Sequence, residues 1–568
     1  MKSKDVTIIG PSKSIKETIN AISSDSKKIR FPGIAIIVNN KKLLGIVTDG
    51  DIRRAFASGI NFKLPIKKIM NKNPIVLYDD IPVQNIVTLT RRAVAESSKL
   101  KSDHVKYIIL VDKKKNFKKI YDYSKLISED LSSKRTVAVI GMGYVGLTLA
   151  TSLANKGHIV TGIDTNKKII KNLRFGKTDI YEPGLSTILK SNIKSNKIRF
   201  LNFIDSFKYD VYIIGVGTPI YNGRPNLKYL KLSTISISKK LKKGDQVMLR
   251  STVPVGTSRN IVIKILEKGS KLKAGKDFYV SFTPERTIEG NALYELRNLP
   301  QIIGGFSAAC SKASADFWST FTRKIIKVES IEAAELIKLA NNTFRDISFA
   351  FSNELALKCF ENNINAFSLI NAANDGYPRN QIPQPSPGVG GSCLTKDPIL
   401  YSTNKKGVVT TTLGTYGRLI NKKAGTFVLK ILNIFSKKIN KPISQMNILI
   451  VGLTFKGEPE NYDIRFSVPV DVYNNIKNKC KNIFLWDAMI KKNNKLINNI
   501  ISESELKRKI NNVDAILFLN NNKKNLKVFE CIKGNNIKLI FDGWNQLDQA
   551  EVEKNELLIY STMGYIGC

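Results

Sequence analysis

Residues 136–164 read TVAVIGMGYVGLTLATSLANKGHIVTGID, and the order of their parts decides the fold. Thr136 to Ile140 has the length and the β-branched, apolar character of a buried strand. Gly141-Met142-Gly143-Tyr144-Val145-Gly146 follows at once, a helical stretch runs to about Lys156, and a second strand, His158 to Ile163, ends on Asp164. Glycines there permit a tight turn and let a pyrophosphate approach the helix N-terminus, where backbone N–H groups and the dipole favour an anion. Asp164 is placed to accept hydrogen bonds from a ribose. Strand, glycines, helix, strand and terminal acid together predict a dinucleotide site, and the acid favours NAD over NADP.

Downstream, apolar strands end on polar residues. Val211 to Gly215 leads to Val216-Gly217-Thr218-Pro219, Val247 to Leu249 leads to Ser251-Thr252-Val253-Pro254, and Phe278 to Phe282 leads to Thr283-Pro284-Glu285-Arg286. In an open parallel sheet the carboxyl ends of the strands line the ligand crevice, which makes these residues candidates; punctuation by Gly and Pro is the plainer account of each. From Ile331 to about Asn362 the apolar residues fall at helical spacing and predict a long core helix. Lys338 and Asn342, four apart, project from one face of it, although a solvated Lys–Asn pair would look the same. After Lys441 a second α/β region opens with Asn447 to Val451 and Gly452-Leu453-Thr454-Phe455-Lys456. Its later strands are Ile483 to Trp486, Ala515 to Leu519 and Leu539 to Phe541. It has no second glycine fingerprint.

Between the long helix and this region lies SPGVGGSCLTKDP, residues 386–398. Cys393 follows a glycine hinge that would let a substrate approach the backbone. Asp397 is its i+4 neighbour and shares its face if a helix starts there. That is how a nucleophile and its helper are laid out; a small buried hydrophobe is the bland alternative.

The 568 residues suggest three to five domains, with 42% hydrophobic content ample for folded cores. Six scattered cysteines without a Cys-x-x-Cys pair, and the absence of a signal-type apolar core in MKSKDVTIIG, fit a reducing cytoplasm. The apolar runs are strand length, so no membrane segment is expected. The net charge of +43 is spread along the chain without aromatic-interleaved basic motifs, which argues against a nucleic-acid partner while still steering an anionic substrate. Only two histidines occur, His104 and His158, so acid–base work falls to carboxylates, lysine or water, and no metal site is expected.

Residues 1–126 alternate short strands and helices as a small α/β unit. Within it, Gly45-Ile46-Val47-Thr48-Asp49-Gly50-Asp51 resembles the strand-to-helix turn of a tandem cystathionine-β-synthase (CBS) domain pair. In that family the Thr48 and Asp51 positions contact the phosphate and ribose of an adenine nucleotide. Helix capping by Asp51 of a helix from Ile52 to Ala57 accounts for the residue equally well. Lys119-Ile120-Tyr121-Asp122-Tyr123 departs from the pattern in the second half, so at most one nucleotide site is expected. The polar stretch Ser128 to Arg135 reads as a linker.

GMGYVG, GVGTP, STVPVG, PERTIEG, the Lys338/Asn342 helix, GVGGSCLTKD and GLTFKG, in this order over residues 136–566, resemble the UDP-glucose/GDP-mannose dehydrogenase family. The resemblance implies an α/β chain of two Rossmann-like domains joined by a long central helix, usually a dimer, preceded here by the CBS-type module. The expected divisions are 1–126, 135–325, 326–432 and 440–566. It implies oxidation of the C6 alcohol of a UDP-sugar to the uronic acid with two NAD, for surface polysaccharide. Cys393 would carry a thiohemiacetal and then a thioester, with Lys338 and Asn342 stabilising the oxyanion and Asp397, Glu285 and Thr252 positioning or activating water. Beside the glycine turn (Gly141, Gly143, Tyr144, Val145, Gly146) and Asp164, cofactor contacts are implied for Thr218, Thr252, Glu289 and Arg465. Substrate contacts are implied for Glu285, Arg286, Lys338, Asn342, Lys456, the loop of Gly388, Gly390 and Gly391, and Arg379, which in the family comes from the partner subunit. Pro-Glu-Arg at 284–286 resembles the branch acting on UDP-N-acetylglucosamine or UDP-N-acetylmannosamine, whereas Glu289-Gly290 and residues 392–397 lean toward UDP-glucose. A single-step β-hydroxyacid-type dehydrogenase shares the Lys and Asn four apart, but Cys393 and the C-terminal domain argue against it. A Tyr401/Lys405 pair of short-chain dehydrogenase spacing is ascribed to chance. A non-catalytic nucleotide sensor is the remaining rival.

Overall fold

The strand Thr136–Ile140 lies inside an eight-stranded sheet. The spatial order is Ile325–Val328, Gln301–Gly305, Tyr279–Phe282, Gln246–Leu249, Val211–Ile214, Thr136–Ile140, Ile159–Ile163, Ile198–Leu201. The computed structural model describes residues 5–25, 29–81, 107–123, 134–322, 324–490, 499–532, 537–552 and 558–566, with the single positions 86, 89, 90 and 497. Most of the Ser128 to Arg135 linker, the His104 position and Cys568 lie outside the described residues.

Six of the eight strands run parallel. The parallel order breaks at one edge: Gln301–Gly305 pairs antiparallel with Tyr279–Phe282 and parallel with Ile325–Val328. The chain returns through the short helix Ala292–Asn298, and nothing in strand composition marks the direction in which a strand is laid down. Sheet order reverses between Thr136–Ile140 and Val211–Ile214, so the ligand crevice of such a fold opens where Gly141 meets Gly215.

The long helix spans Ile331–Glu361, capped by Ser330, whose hydroxyl accepts from the Ala333 N–H at 3.0 Å. A second long helix, Leu413–Lys438, starts with a capping box of Thr412 and Thr415 and packs along the first. Behind them, Asn447–Val451 joins a six-stranded sheet ordered Asn482–Trp486, Asn447–Val451, Ala515–Phe518, Leu539–Asp542, Ile559–Thr562, Tyr565–Ile566, parallel except for the last hairpin. Ile331 and Ala334 of the long helix enter the core of the first sheet, while Ala356 and Cys359 near its other end enter the core under the second. One helix is therefore a rigid ruler that fixes both sheets.

Met1–Lys134 with Asp316–Lys324 forms one compact unit, and Arg135–Ala315 with Ile325–Cys568 forms the other. In the first, Thr7–Ile9, Ile34–Asn39 and Lys42–Thr48 pair parallel then antiparallel, and Val76–Tyr78, Tyr107–Val111 and Phe117–Asp122 repeat the same pattern. Ile34, Ile36 and Ile46 of the first sheet share a core with Tyr107, Ile109, Val111 and Ile120 of the second. The helix cap is corrected in detail: the helix begins at Asp49, Thr48 is its N-cap, and Asp51 is the reciprocal partner of the capping box. Asp51 Oδ2 accepts from Thr48 N at 2.8 Å and Thr48 Oγ1 at 2.7 Å, and Oδ1 accepts from Arg54. Among the described residues no helix is long and apolar enough to cross a membrane.

Candidate functional site

At the glycine turn each glycine has a different reason. Gly141 sits at φ +95°, where a Cβ would lie 2.8 Å from Gly215 O; a Cβ on Gly146 would lie 1.7 Å from Gly141 O. Both glycines are thus required by the turn itself. A Cβ on Gly143 would meet nothing within 4 Å, and Gly143 caps Tyr144–Asn155 without a side chain, leaving its N-terminal N–H groups for a ligand. Asp164 ends the second strand and accepts from Met142 N at 2.8 Å, so its carboxylate braces the turn. These residues fit a dinucleotide.

Tyr144 adds a link absent from the motif. Its hydroxyl donates to Glu182, and both accept from Gly290 N, at 2.9 Å (Tyr144) and 3.0 Å (Glu182). Burial and the neighbouring Glu182 push the Tyr144 hydroxyl pKa up. Val145, next on the helix, accepts from the Thr148 hydroxyl through its carbonyl at 3.2 Å.

The sequence places Cys393 and Asp397 on one turn, and the structure does so by a different route. The helix begins only at Asp397 (Asp397–Tyr401), and the Asp397 N–H donates to the Cys393 carbonyl at 2.8 Å, so one helical turn links the two. Asp397 is 1% exposed and gathers the cluster. Its Oδ2 accepts from Asn342 Nδ2 at 2.6 Å and lies 4.0 Å from Lys338 Nζ, while Oδ1 lies 3.5 Å from Lys396 Nζ and accepts no hydrogen bond. Lys338 and Asn342 are buried, which overturns the solvated-pair reading of the helix. The Cys393 side chain is open to solvent, with Asp397, Lys338 and Lys396 close enough to act on its thiol. Burial pushes the thiol up, Asp397 adds to the rise, and Lys338 and Lys396 oppose it.

The loop before Cys393 is glycine-rich for protein packing. A Cβ on Gly388 would meet Asn421 O at 3.0 Å, one on Gly390 would meet Phe466 O at 2.4 Å, and one on Gly391, at φ +87°, would enter the Phe455 ring at 2.6 Å. The anticipated close approach is to the second long helix at Gly388 and to the C-terminal region at Gly390 and Gly391. A buried polar ladder holds the same loop from below. Arg418 donates to Asp346 at 2.7 Å and to the Val389 carbonyl at 3.1 Å, and Asn353, bonded to Asn421 at 2.9 Å, accepts from Ser386 N at 2.8 Å.

Other candidates gather at the strand ends and domain boundary. Thr218 donates to the Thr252 carbonyl at 2.5 Å and accepts from Lys396 Nζ at 3.1 Å. Lys456 Nζ donates to the Glu289 carbonyl at 2.6 Å; burial lowers its pKa to about 8, against the pull of Glu289. Burial, with Asp463 adding to it, pushes Glu289 up to about 7 against Arg465 and Lys456. Arg465 is engaged with Asp463 on its own loop at 2.6 Å. Arg286 donates to the Pro300 carbonyl, and Arg379 stands on an exposed loop with its guanidinium 5.4 Å from the Tyr377 ring centroid. Glu285 is paired with Arg250 at 2.7 Å. Arg250, Glu182 and Lys396 were not expected. A cation closing a buried strand such as Gln246–Leu249 has to be paired, and that signal could have found Arg250; Glu182 carries none.

The model of the UDP-glucose/GDP-mannose dehydrogenase family NAD binding domain matches residues 135–322, and the family's central domain matches residues 332–423. A CBS domain matches residues 1–58. The chain is 31% identical over 422 residues to the UDP-N-acetyl-D-mannosamine dehydrogenase of Pyrococcus horikoshii, covering 73% of this chain and 97% of that protein. It is 34% identical over 346 residues to the protein of the same name from Campylobacter jejuni, covering 59% and 82%. The solved UDP-N-acetylmannosamine dehydrogenase structure from Pyrococcus horikoshii superposes with a TM-score of 0.68 at 30% identity, over 76% of this chain and 99% of that one. The corresponding Staphylococcus aureus structure gives 0.65 at 29% identity, over 76% and 98%.

Proposed function

The chain belongs to the UDP-glucose/GDP-mannose dehydrogenase family and is an NAD-dependent oxidoreductase, and on that premise we propose that it oxidises the C6 alcohol of a UDP-N-acetylhexosamine to the uronic acid. UDP-N-acetylmannosamine is the first candidate because that sugar is in the names of the relatives, with UDP-N-acetylglucosamine and UDP-glucose next. The observation that carries the reading is the convergence of Lys338, Asn342 and Lys396 on Asp397, one helical turn from Cys393.

Bound NAD supplies the hydride acceptor for each of two oxidations. The turn Gly141–Gly146 and Asp164 would hold it, with Thr218, Thr252, Glu289 and Arg465 beside it. Lys338 and Asn342 offer a cation and an amide to the oxygen that becomes anionic. The Cys393 thiolate adds to the aldehyde carbon; oxidation of that adduct leaves a thioester, which water cleaves to the acid and the free thiol. Lys456, Arg286 and the Gly388–Gly391 loop would grip the UDP-sugar. Leu336, Phe344, Phe351, Leu413 and Tyr416, exposed on the two long helices, support a homodimer that brings Arg379 to the partner's site.

The N-terminal module, taken as a CBS pair over 1–126, would sense an adenine nucleotide at Thr48 and Asp51. Unchanged kinetics with and without ATP or AMP, in the full chain and after deletion of 1–126, would remove this role. The catalytic reading is tested by NADH formed per sugar consumed with UDP-N-acetylmannosamine, UDP-N-acetylglucosamine, UDP-glucose and GDP-mannose offered separately. Two NADH per sugar with one of them is expected; one NADH sinks the thioester cycle, and none with any of the four sinks the activity.

A further inference from the structure

The strand Gln246–Leu249 ends on Arg250, which is 3% exposed and has no part in the chemistry above. Its Nε and Nη2 donate to one oxygen of Glu285, Oε2, at 3.0 and 2.7 Å. Its Nη1 donates to the Thr283 carbonyl at 3.0 Å and to Gln301 Oε1 at 3.1 Å. The other Glu285 oxygen, Oε1, accepts from the backbone N–H of Arg286 and of Thr287, both at 2.8 Å. A carboxylate offers about four acceptor sites. All of those on Glu285 are therefore taken by the protein.

We infer that Arg250 is a positioning residue for the proposed oxidation: it locks Glu285 as a saturated anion that shapes the Thr283–Thr287 strand end, and leaves Asp397 to take the proton from water. The inference rests on the functional reading above. Two geometric facts carry it. Glu285 can accept a proton only by giving up a donor, whereas Asp397 Oδ1 is buried and accepts no hydrogen bond. Arg250 also spans three strand ends at once, Leu249, Phe282 and Gln301, so its removal would shift the wall that carries Arg286. The charged groups acting on Glu285 are Arg250 from the neighbouring strand and Arg286 from its own loop, and Gln301 facing Arg250 is neutral. Burial works to raise the Glu285 pKa, but Arg250 and the Thr287 donors outweigh it and hold the carboxyl below its usual value.

The test is the pH dependence of kcat/KM, with KM for the UDP-sugar, in wild type and in E285Q, R250K, R250M, R250M/E285Q and D397N. Wild-type turnover of two NADH per sugar is measured first; its absence overturns the functional reading and this inference together. Given that turnover, E285Q is expected to keep the acid limb and raise KM, and D397N to lose the limb. R250M is expected to lose roughly 10²-fold in kcat/KM. E285Q should restore part of that loss, because it removes the anion left unpaired. Loss of the acid limb in E285Q, or equal losses in R250M and R250M/E285Q, overturns the inference alone. Should R250M fail to fold by thermal melting, R250K decides: kcat and KM equal to wild type overturn the inference, and a raised KM supports it.

Discussion

Cys393 shows how much a single residue owes to its surroundings. Its thiol is raised by burial and by Asp397, so the thiolate fraction grows with pH through and beyond the ordinary thiol value of about 8.5. Alkylation of the free protein by iodoacetamide should therefore accelerate with a midpoint above that of a free cysteine; a midpoint at or below it would show that Lys338 and Lys396 dominate. C393A is expected to lower four-electron turnover by roughly 10³-fold or more, read as steady-state NADH, since it removes the thiolate on which the covalent step depends. Lys456 gives a second pH signature. Its pKa is lowered to about 8, so it is a cation below that pH and neutral above. The KM for the UDP-sugar should rise as pH passes about 8, and K456M should lack the rise. Cys393, Lys338, Asn342 and Asp397 were legible as candidates because they stand in the motifs that resemble the family. Arg250 and Glu182 escaped because their partners, Glu285 and Gly290, are distant in sequence.

Among elements, the two long helices and the Cys393 loop act together. Arg418 pairs with one oxygen of Asp346, which is fully buried, and donates to the Val389 carbonyl. Burial raises the Asp346 pKa while Arg418 opposes it, so Arg418→Met leaves an uncompensated buried acid. A loss of about 3–5 kcal/mol is expected by chemical denaturation. A loss under 1 kcal/mol would mean the ladder relaxes. The helix Ile331–Glu361 and the strands named from the sequence, such as Thr136–Ile140 and Asn447–Val451, were legible from apolar periodicity to within a residue or two, whereas the second long helix, Leu413–Lys438, was not anticipated. The reversed strand Gln301–Gly305 and the start of the helix at Asp397 were not, since strand direction and helix onset depend on where the chain must return.

At the scale of the whole molecule, the charge of +43 should make capture of an anionic sugar nucleotide sensitive to salt. Raising ionic strength from about 0.05 to 0.5 M is expected to lower kcat/KM with kcat little changed, as the Debye length shrinks; an unchanged kcat/KM would confine the attraction to contacts inside the cleft. By itself the sequence determined the α/β class, the dinucleotide turn and the long helix. These follow from periodicity, glycine sterics and side-chain chemistry, all local along the chain. Tertiary structure alone decided that Asp397 sits between two lysines and an amide, that the loop glycines serve the packing of Phe455 and Phe466, and that Glu285 is occupied by Arg250. Hydrogen bonds and ion pairs depend on distances of a few ångströms between residues far apart in the chain, and only the packed sheets and helices fix those distances.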